Sequence, residues 1–121
     1  MSVTVQSRPI DLEHLSRYTS GDQALNAEVL TLFVGQAEQL VARLRICLDK
    51  ADARGWKLST HSLKGAARGV GAFELADAAA AAEAMEVGSQ CKEAARAVEA
   101  MRSRAHAVKV FVDSYLQRQA V

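Results

Sequence analysis

Proline stops a helix wherever it falls inside one, because its ring removes a backbone donor and clashes with the preceding turn. This 121-residue chain has one, Pro9, and everything after it is free to run in long helices. Hydrophobic residues make up 50% of the chain but aromatics only 5%, so the apolar volume comes from Ala, Leu and Val. That composition suits close-packed helices better than a sheet, which favours β-branched and aromatic side chains. The length fits one domain with one core, residues 1–121, with 1–9 as a flexible lead-in.

The apolar spacing divides the chain into helices. Asp11 is placed to cap a short helix running to about Tyr18, and Thr19 to Asp22 is a turn with Asp22 as the next cap. Leu25, Val29, Leu32, Phe33, Gln36, Leu40, Leu44, Cys47 and Ala51 then recur at three- and four-residue steps, predicting a long amphipathic helix that ends near Lys50. Asp52 to Gly55 interrupts the pattern. A third helix carries Trp56, Thr60, Leu63, Ala67 and Val70 on one stripe and ends at Gly69 and Gly71. An alanine-rich helix follows over 72–87, stopped by Gly88 as its C′ glycine. Ser89 is placed to cap the last helix, whose stripe is Ala94, Val98, Met101, Ala105, Val108, Val112 and Tyr115. The expected fold is all-α: an up-down-up-down four-helix bundle with a short additional N-terminal helix.

Charge excludes several classes of partner. A formal net charge of +1 provides no bulk attraction to nucleic acid or to an anionic membrane. The first ten residues hold no apolar targeting core and no stretch approaches a membrane-spanning length, so a cytoplasmic protein is expected. Cys47 and Cys91 are isolated on helical patterns without metal-type spacing and read as small packing residues. No metal site, phosphate-cradling loop or paired-carboxylate pocket is legible, which argues against a hydrolytic or metal enzyme.

The third helix has a second, polar face. Lys57, His61, Lys64 and Arg68 follow one another at steps of four, three and four residues, so they share a side of the helix that points away from Leu63. A solvent-facing imidazole offers a ring nitrogen as a nucleophile toward a phosphoryl donor. The cations at Lys64 and Arg68 would offset the charge of the product, each by about 1 kcal/mol in water-like surroundings. Gly65 lies four residues after His61 and is its neighbour on the surface. A mid-helix glycine costs roughly 0.5–1 kcal/mol relative to alanine, so its presence calls for another benefit, such as steric access to the histidine. Leu58 sits about 60° round the helix from His61 and is expected to be partly exposed. Hairpin geometry adds Glu83: His61 lies ten residues before Gly71 and Glu83 twelve after, at similar heights on antiparallel helices. His14 and His106 have no comparable cations and read as surface or satisfied bundle histidines.

The run from His61 through Lys64, Gly65, Val70 and Gly71 to Ala72 resembles the signature of the histidine-containing phosphotransfer (HPt) domain family: histidine, any residue, leucine, lysine, glycine, a small residue, then aliphatic-glycine. Ile10 to Leu12, Gly21-Asp22, Leu30 to Phe33 and the Glu83 helix resemble the family's layout, from about residue 10 to 117. The resemblance implies a four-helix bundle that accepts and donates a phosphoryl group on an exposed histidine within a two-component phosphorelay. Residue by residue it implies His61 as phospho-acceptor, Lys64 as the phosphoryl-stabilising cation, Gly65 as clearance for the partner, Gly71 as the inter-helix turn, and Glu83 as the group that orients the imidazole. Thr60 stands where the family more often has alanine, and its hydroxyl is free to bond back along the helix.

Response-regulator receiver domains and a sensor or hybrid histidine kinase are the implied partners, docking on Lys57, Leu58, Gly65 and Arg68. No cofactor is expected on the chain, since the Mg²⁺ of such transfers belongs to the receiver. The chain is expected to be a monomeric, free-standing relay rather than an autonomous enzyme, because Met1 opens it and no ATP-binding or receiver segment follows. The alternative is a helical adaptor that binds signalling partners without phosphotransfer.

Overall fold

Aspartates start three of the five helices among the described residues. The computed structural model describes residues 8–88 and 91–119, and all the regular structure in them is helical. Helix α1 (Leu12–Thr19) is capped by Asp11, whose carboxylate accepts from the His14 N–H at 3.1 Å. Helix α2 (Gln23–Lys50) is capped in the same way by Asp22, which accepts from Leu25 N–H at 3.1 Å. Helix α3 (Ala53–Val70) is capped by Asp52, accepting from Gly55 N–H at 2.9 Å. Each cap satisfies one of the donors that a helix start leaves unpaired, an effect of about 1 kcal/mol. The stretch from Asp52 to Gly55, expected to interrupt the pattern, is therefore the first turn of α3. Gly55 belongs there because α2 and α3 meet closely: a Cβ on it would lie 2.5 Å from Asp52 Oδ2 and 2.8 Å from Cys47 Sγ.

Helix α3 ends on Gly71 at φ +85°, a left-handed conformation that glycine adopts without steric cost. The same residue anchors the N-terminal segment, since Asp11 N–H donates to Gly71 O at 2.9 Å and brings α1 against α2 and α3. Ile10 is completely buried at that junction and Pro9 half-buried, while residues 1–7 of the expected flexible lead-in lie outside the described residues.

Helix α4 (Phe73–Glu83) is shorter than the expected 72–87. It stops at Ala84, and Val87 turns inward to 6% exposure instead of continuing the helix. Gly88, at φ +113°, thus serves the connection to the next helix and is not the C′ residue of α4. Helix α5 (Cys91–Gln119) closes the bundle, and the Ser89 cap expected for it lies outside the described residues. Around the ring, α2 packs on α3 and α5, and α4 packs on α3 and α5, which leaves α2 and α4 at opposite corners of the expected four-helix arrangement.

The α3 and α5 stripes are buried as expected, with Trp56 the largest fully buried side chain. In α4 the inward face is Leu75, Ala76, Ala79 and Ala82. The α2 stripe is met at Phe33, Leu40, Leu44 and Cys47 and departs from expectation mainly toward the N-terminal half. Leu25 is 39% and Leu32 70% exposed and Gln36 is exposed, while Asn26, Leu30, Phe33, Ala37, Leu40, Leu44 and Cys47 are buried. Shifting a helical stripe by one residue rotates it by about 100°, and over 28 residues several three- and four-residue patterns can be drawn through the same leucines. His14 also departs from expectation. Its ring packs edge-on between Tyr18, 5.3 Å away between centroids, and Phe73, 5.1 Å away, and its Nε2 is buried with no hydrogen-bond partner among the described residues. His106 is at the surface.

Candidate functional site

Beyond the first turn of α3 the exposed residues are Lys57, Leu58, His61, Ser62, Gly65, Arg68 and Gly69, all on one side of the helix opposite Leu63. Regular helical geometry through Val70 carries this face past His61 without a break, so Arg68 stands in a well-formed turn. Thr60, immediately before the histidine, is fully buried. Its hydroxyl donates back to Trp56 O at 2.8 Å, as expected of a buried threonine inside a helix.

His61 stands at the edge where α3 meets α4, with its side chain 69% exposed. Its Nδ1 lies 3.2 Å from Glu83 Oε2, so the two helices do bring these residues to one height. The other oxygen, Glu83 Oε1, pairs with Lys64 Nζ at 2.7 Å, and both of these side chains are only 20% exposed. One carboxylate therefore holds the imidazole with one oxygen and the ammonium with the other. The Lys64 hydrogen bond, and after it the His61 ring, hold the Glu83 carboxyl below its ordinary pKa, so it is ionised at neutral pH.

An ionised carboxylate accepts only, so the proton in the contact resides on Nδ1. That selects the tautomer in which Nε2 carries the lone pair. Nε2 has no protein partner among the described residues, and the ring's exposure leaves it open to an incoming group.

The surroundings of His61 are permissive. A Cβ built on Gly65 would meet nothing within 4 Å, so the glycine is required by neither backbone nor packing. Leu58 is 59% exposed, an apolar side chain beside the histidine that no part of the bundle covers. Arg68 is exposed on the same face.

Two features of the site were not anticipated. Lys64, expected as the cation that stabilises the phosphoryl group, also pairs with Glu83 across the helix junction. Lys57, expected on the docking face, reaches across to α4, where its Nζ donates to Glu83 O at 3.0 Å. The spacing that places Lys57 and Lys64 on the His61 side also puts them beside whatever helix lies next to it. Which helix that is follows from the packing of the bundle. Among the described residues no group of three or more His, Cys, Asp or Glu side chains is arranged to hold a metal ion, and no helix is long and apolar enough to cross a membrane.

The Hpt domain family model matches residues 28–109, which includes the whole of α3 and α4. Histidine-containing phosphotransfer protein B (HptB) from Pseudomonas aeruginosa superposes with a TM-score of 0.83 at 22% identity, over 93% of this chain and 98% of that one. The histidine phosphotransferase ShpA from Caulobacter crescentus superposes with a TM-score of 0.67 at 31% identity, over 93% of this chain and 94% of that one. Among curated proteins no sequence matches. The matched segment covers well over half of the chain and contains the His61 face, and the protein belongs to the Hpt domain family, whose members carry out histidine phosphotransfer in two-component phosphorelays.

Proposed function

We propose that His61 is the residue that carries the phosphoryl group, through Nε2, and that Glu83 and Lys64 tune it. The observation that carries this reading is the 3.2 Å contact of Nδ1 with Glu83 Oε2 on a ring that is 69% exposed. With Nδ1 protonated and held, Nε2 attacks the phosphorus of a receiver's aspartyl phosphate. An N–P bond forms, the acyl O–P bond breaks, and the electron pair leaves on the aspartate carboxylate. The ring becomes a phosphoimidazolium whose Nδ1–H faces the negative Glu83, so the charge that develops on the ring meets an opposite charge already in place. Lys64 lies one turn from His61, and its ammonium, with one of its three donors held by Glu83 Oε1, has others to offer the phosphoryl oxygens. The reverse sequence returns the group to a second aspartate.

Receiver domains and a sensor or hybrid kinase are the partners in this reading, docking over Leu58, Gly65 and Arg68. The receiver brings the acidic pocket and the Mg²⁺, and the bundle contributes a positioned nucleophile without a cofactor of its own. The chain acts as a monomer in the cytoplasm.

The test is incubation with a phosphorylated receiver domain. The wild-type protein is expected to take up phosphate, and His61→Gln to bind the receiver and take up none. Phosphate retained by His61→Gln would place the acceptor elsewhere. A wild-type protein that bound the receiver and never became phosphorylated would favour the adaptor reading.

A further inference from the structure

Glu83 is the last residue of α4, and a helix end is where backbone order is weakest. Its carboxylate nevertheless has to meet Nδ1 of His61 and Nζ of Lys64 at once. The helix does not end on a left-handed glycine that would satisfy its final carbonyls: Ala84 is right-handed, and its N–H turns back to Ala82 O. Ala82 O also accepts from the Met85 N–H at 3.1 Å, and two consecutive residues of α3 add donors from outside. Trp56 Nε1 donates to Ala82 O at 2.8 Å, and Lys57 Nζ donates to Glu83 O at 3.0 Å. Trp56 is 1% exposed, so its contact is a buried bond in the core, while Lys57 closes the same turn at the surface. A cation at this position is also favoured by the partial negative charge of a helix C-terminus.

We infer that Lys57, together with the buried Trp56 contact, is a positioning residue for the reactive histidine: by clasping the last turn of α4 it holds the Glu83 carboxylate at His61 Nδ1 and thereby sets the tautomer of the ring. The chain of contacts runs from Lys57 Nζ to Glu83 O, through one residue to Glu83 Oε2, and on to Nδ1. Lys57 is four residues before His61 and works through the neighbouring helix, so it neither touches the phosphoryl group nor serves as a docking contact. The consequence for transfer rests on His61 being the acceptor. The consequence for the tautomer does not.

The test uses Lys57→Met, which keeps most of the apolar stem and removes the donor, Lys57→Arg, which keeps a donor, and Glu83→Ala. The ring nitrogens of His61 are observed by NMR in the unphosphorylated full-length protein, with thermal melts confirming that each variant is folded. In the wild type Nδ1 is expected to show the protonated shift and Nε2 the lone-pair shift. Lys57→Met should move both toward the values of a free histidine, and Lys57→Arg should restore them. In the Glu83→Ala background, adding Lys57→Met should change nothing further, because the residue through which it acts is gone. Phosphotransfer from a receiver should fall on the order of tenfold in Lys57→Met and recover in Lys57→Arg, with binding of the unphosphorylated receiver unchanged.

An unchanged His61 tautomer in a folded Lys57→Met protein would overturn the proposal, and so would a loss confined to receiver binding. A shifted tautomer in a chain whose His61→Gln variant still carries phosphate would uphold the positioning role and reject His61 as acceptor.

Discussion

Replacing Gly65 by glutamine separates what the fold needs from what a partner needs. Gly65 is an interior residue of α3 with ordinary helical φ, and a side chain there meets nothing within 4 Å. The substitution therefore adds helix propensity without a clash, a gain of roughly 0.5–1 kcal/mol. Unfolding entropy near 2.1 cal/mol/K per residue over 121 residues makes 1 kcal/mol equivalent to about 4 °C, so Tm should rise by about 2–4 °C. The new side chain fills the open space one turn from His61, which a receiver's loop must enter to reach Nε2. Receiver affinity and transfer should both fall while the His61 to Glu83 contact is kept. Lys64→Ala should behave differently, because the Lys64 ammonium is only 20% exposed and bonded to Glu83 Oε1 beside the ring: binding of the unphosphorylated receiver should persist while the transfer rate and phosphohistidine lifetime drop. The assays are a thermal melt, a receiver titration and a timed transfer for each variant. A lower Tm for Gly65→Gln, or undiminished receiver binding, would refute the assignment of Gly65 to partner clearance. Equal binding and transfer defects in both variants would refute the division of labour between the two residues.

Glycines elsewhere should respond with the opposite sign. Gly55→Ala drives a Cβ to 2.5 Å from the Asp52 side chain and should cost at least the cap, about 1 kcal/mol. Gly71→Ala places a Cβ 2.7 Å from Asp11 O at φ +85° and should cost about 2 kcal/mol or more, and urea midpoints measure both. The folded pKa of Glu83 lies below its ordinary 4.5, so the stability it contributes is complete above pH 4.5 and is lost as pH falls through the folded value. The difference in Tm between wild type and Glu83→Gln should therefore be level near neutral pH and shrink under acid conditions, and a difference that grew on acidification would contradict the geometry. His14→Phe replaces a ring whose buried Nε2 has no partner among the described residues with an apolar ring between the same aromatics, and should raise stability by about 1 kcal/mol, readable as a higher Tm.

Much of this molecule is legible in the chain itself, for reasons that are local. Asp11 and Asp22 cap helices because a short carboxylate reaches its own backbone donors within three residues, and no distant contact is needed to read that. The α3 and α5 stripes, the left-handed Gly71 and the exposed face carrying His61, Leu58 and Gly65 follow from the helical period in the same way. The pairing of His61 with Glu83 is also accessible, because similar counts on either side of a tight turn, ten and twelve residues, set similar heights on antiparallel helices. Tertiary structure decided the rest. The inward face of α2 depended on where α3 and α5 sit, since a 28-residue helix rich in leucine offers more than one plausible stripe. The end of α4 at Glu83 is tied down by donors from Trp56 and Lys57, 26 residues away in the chain, which reach the Ala82 and Glu83 carbonyls beside the local Met85 N–H bond to Ala82 O. The bond between Lys64 and Glu83 and the reach of Lys57 across the helix pair have the same origin. A lysine's position on its own helix is set by sequence period, but what its ammonium touches is set by which helix packs alongside, and that is a property of the whole bundle.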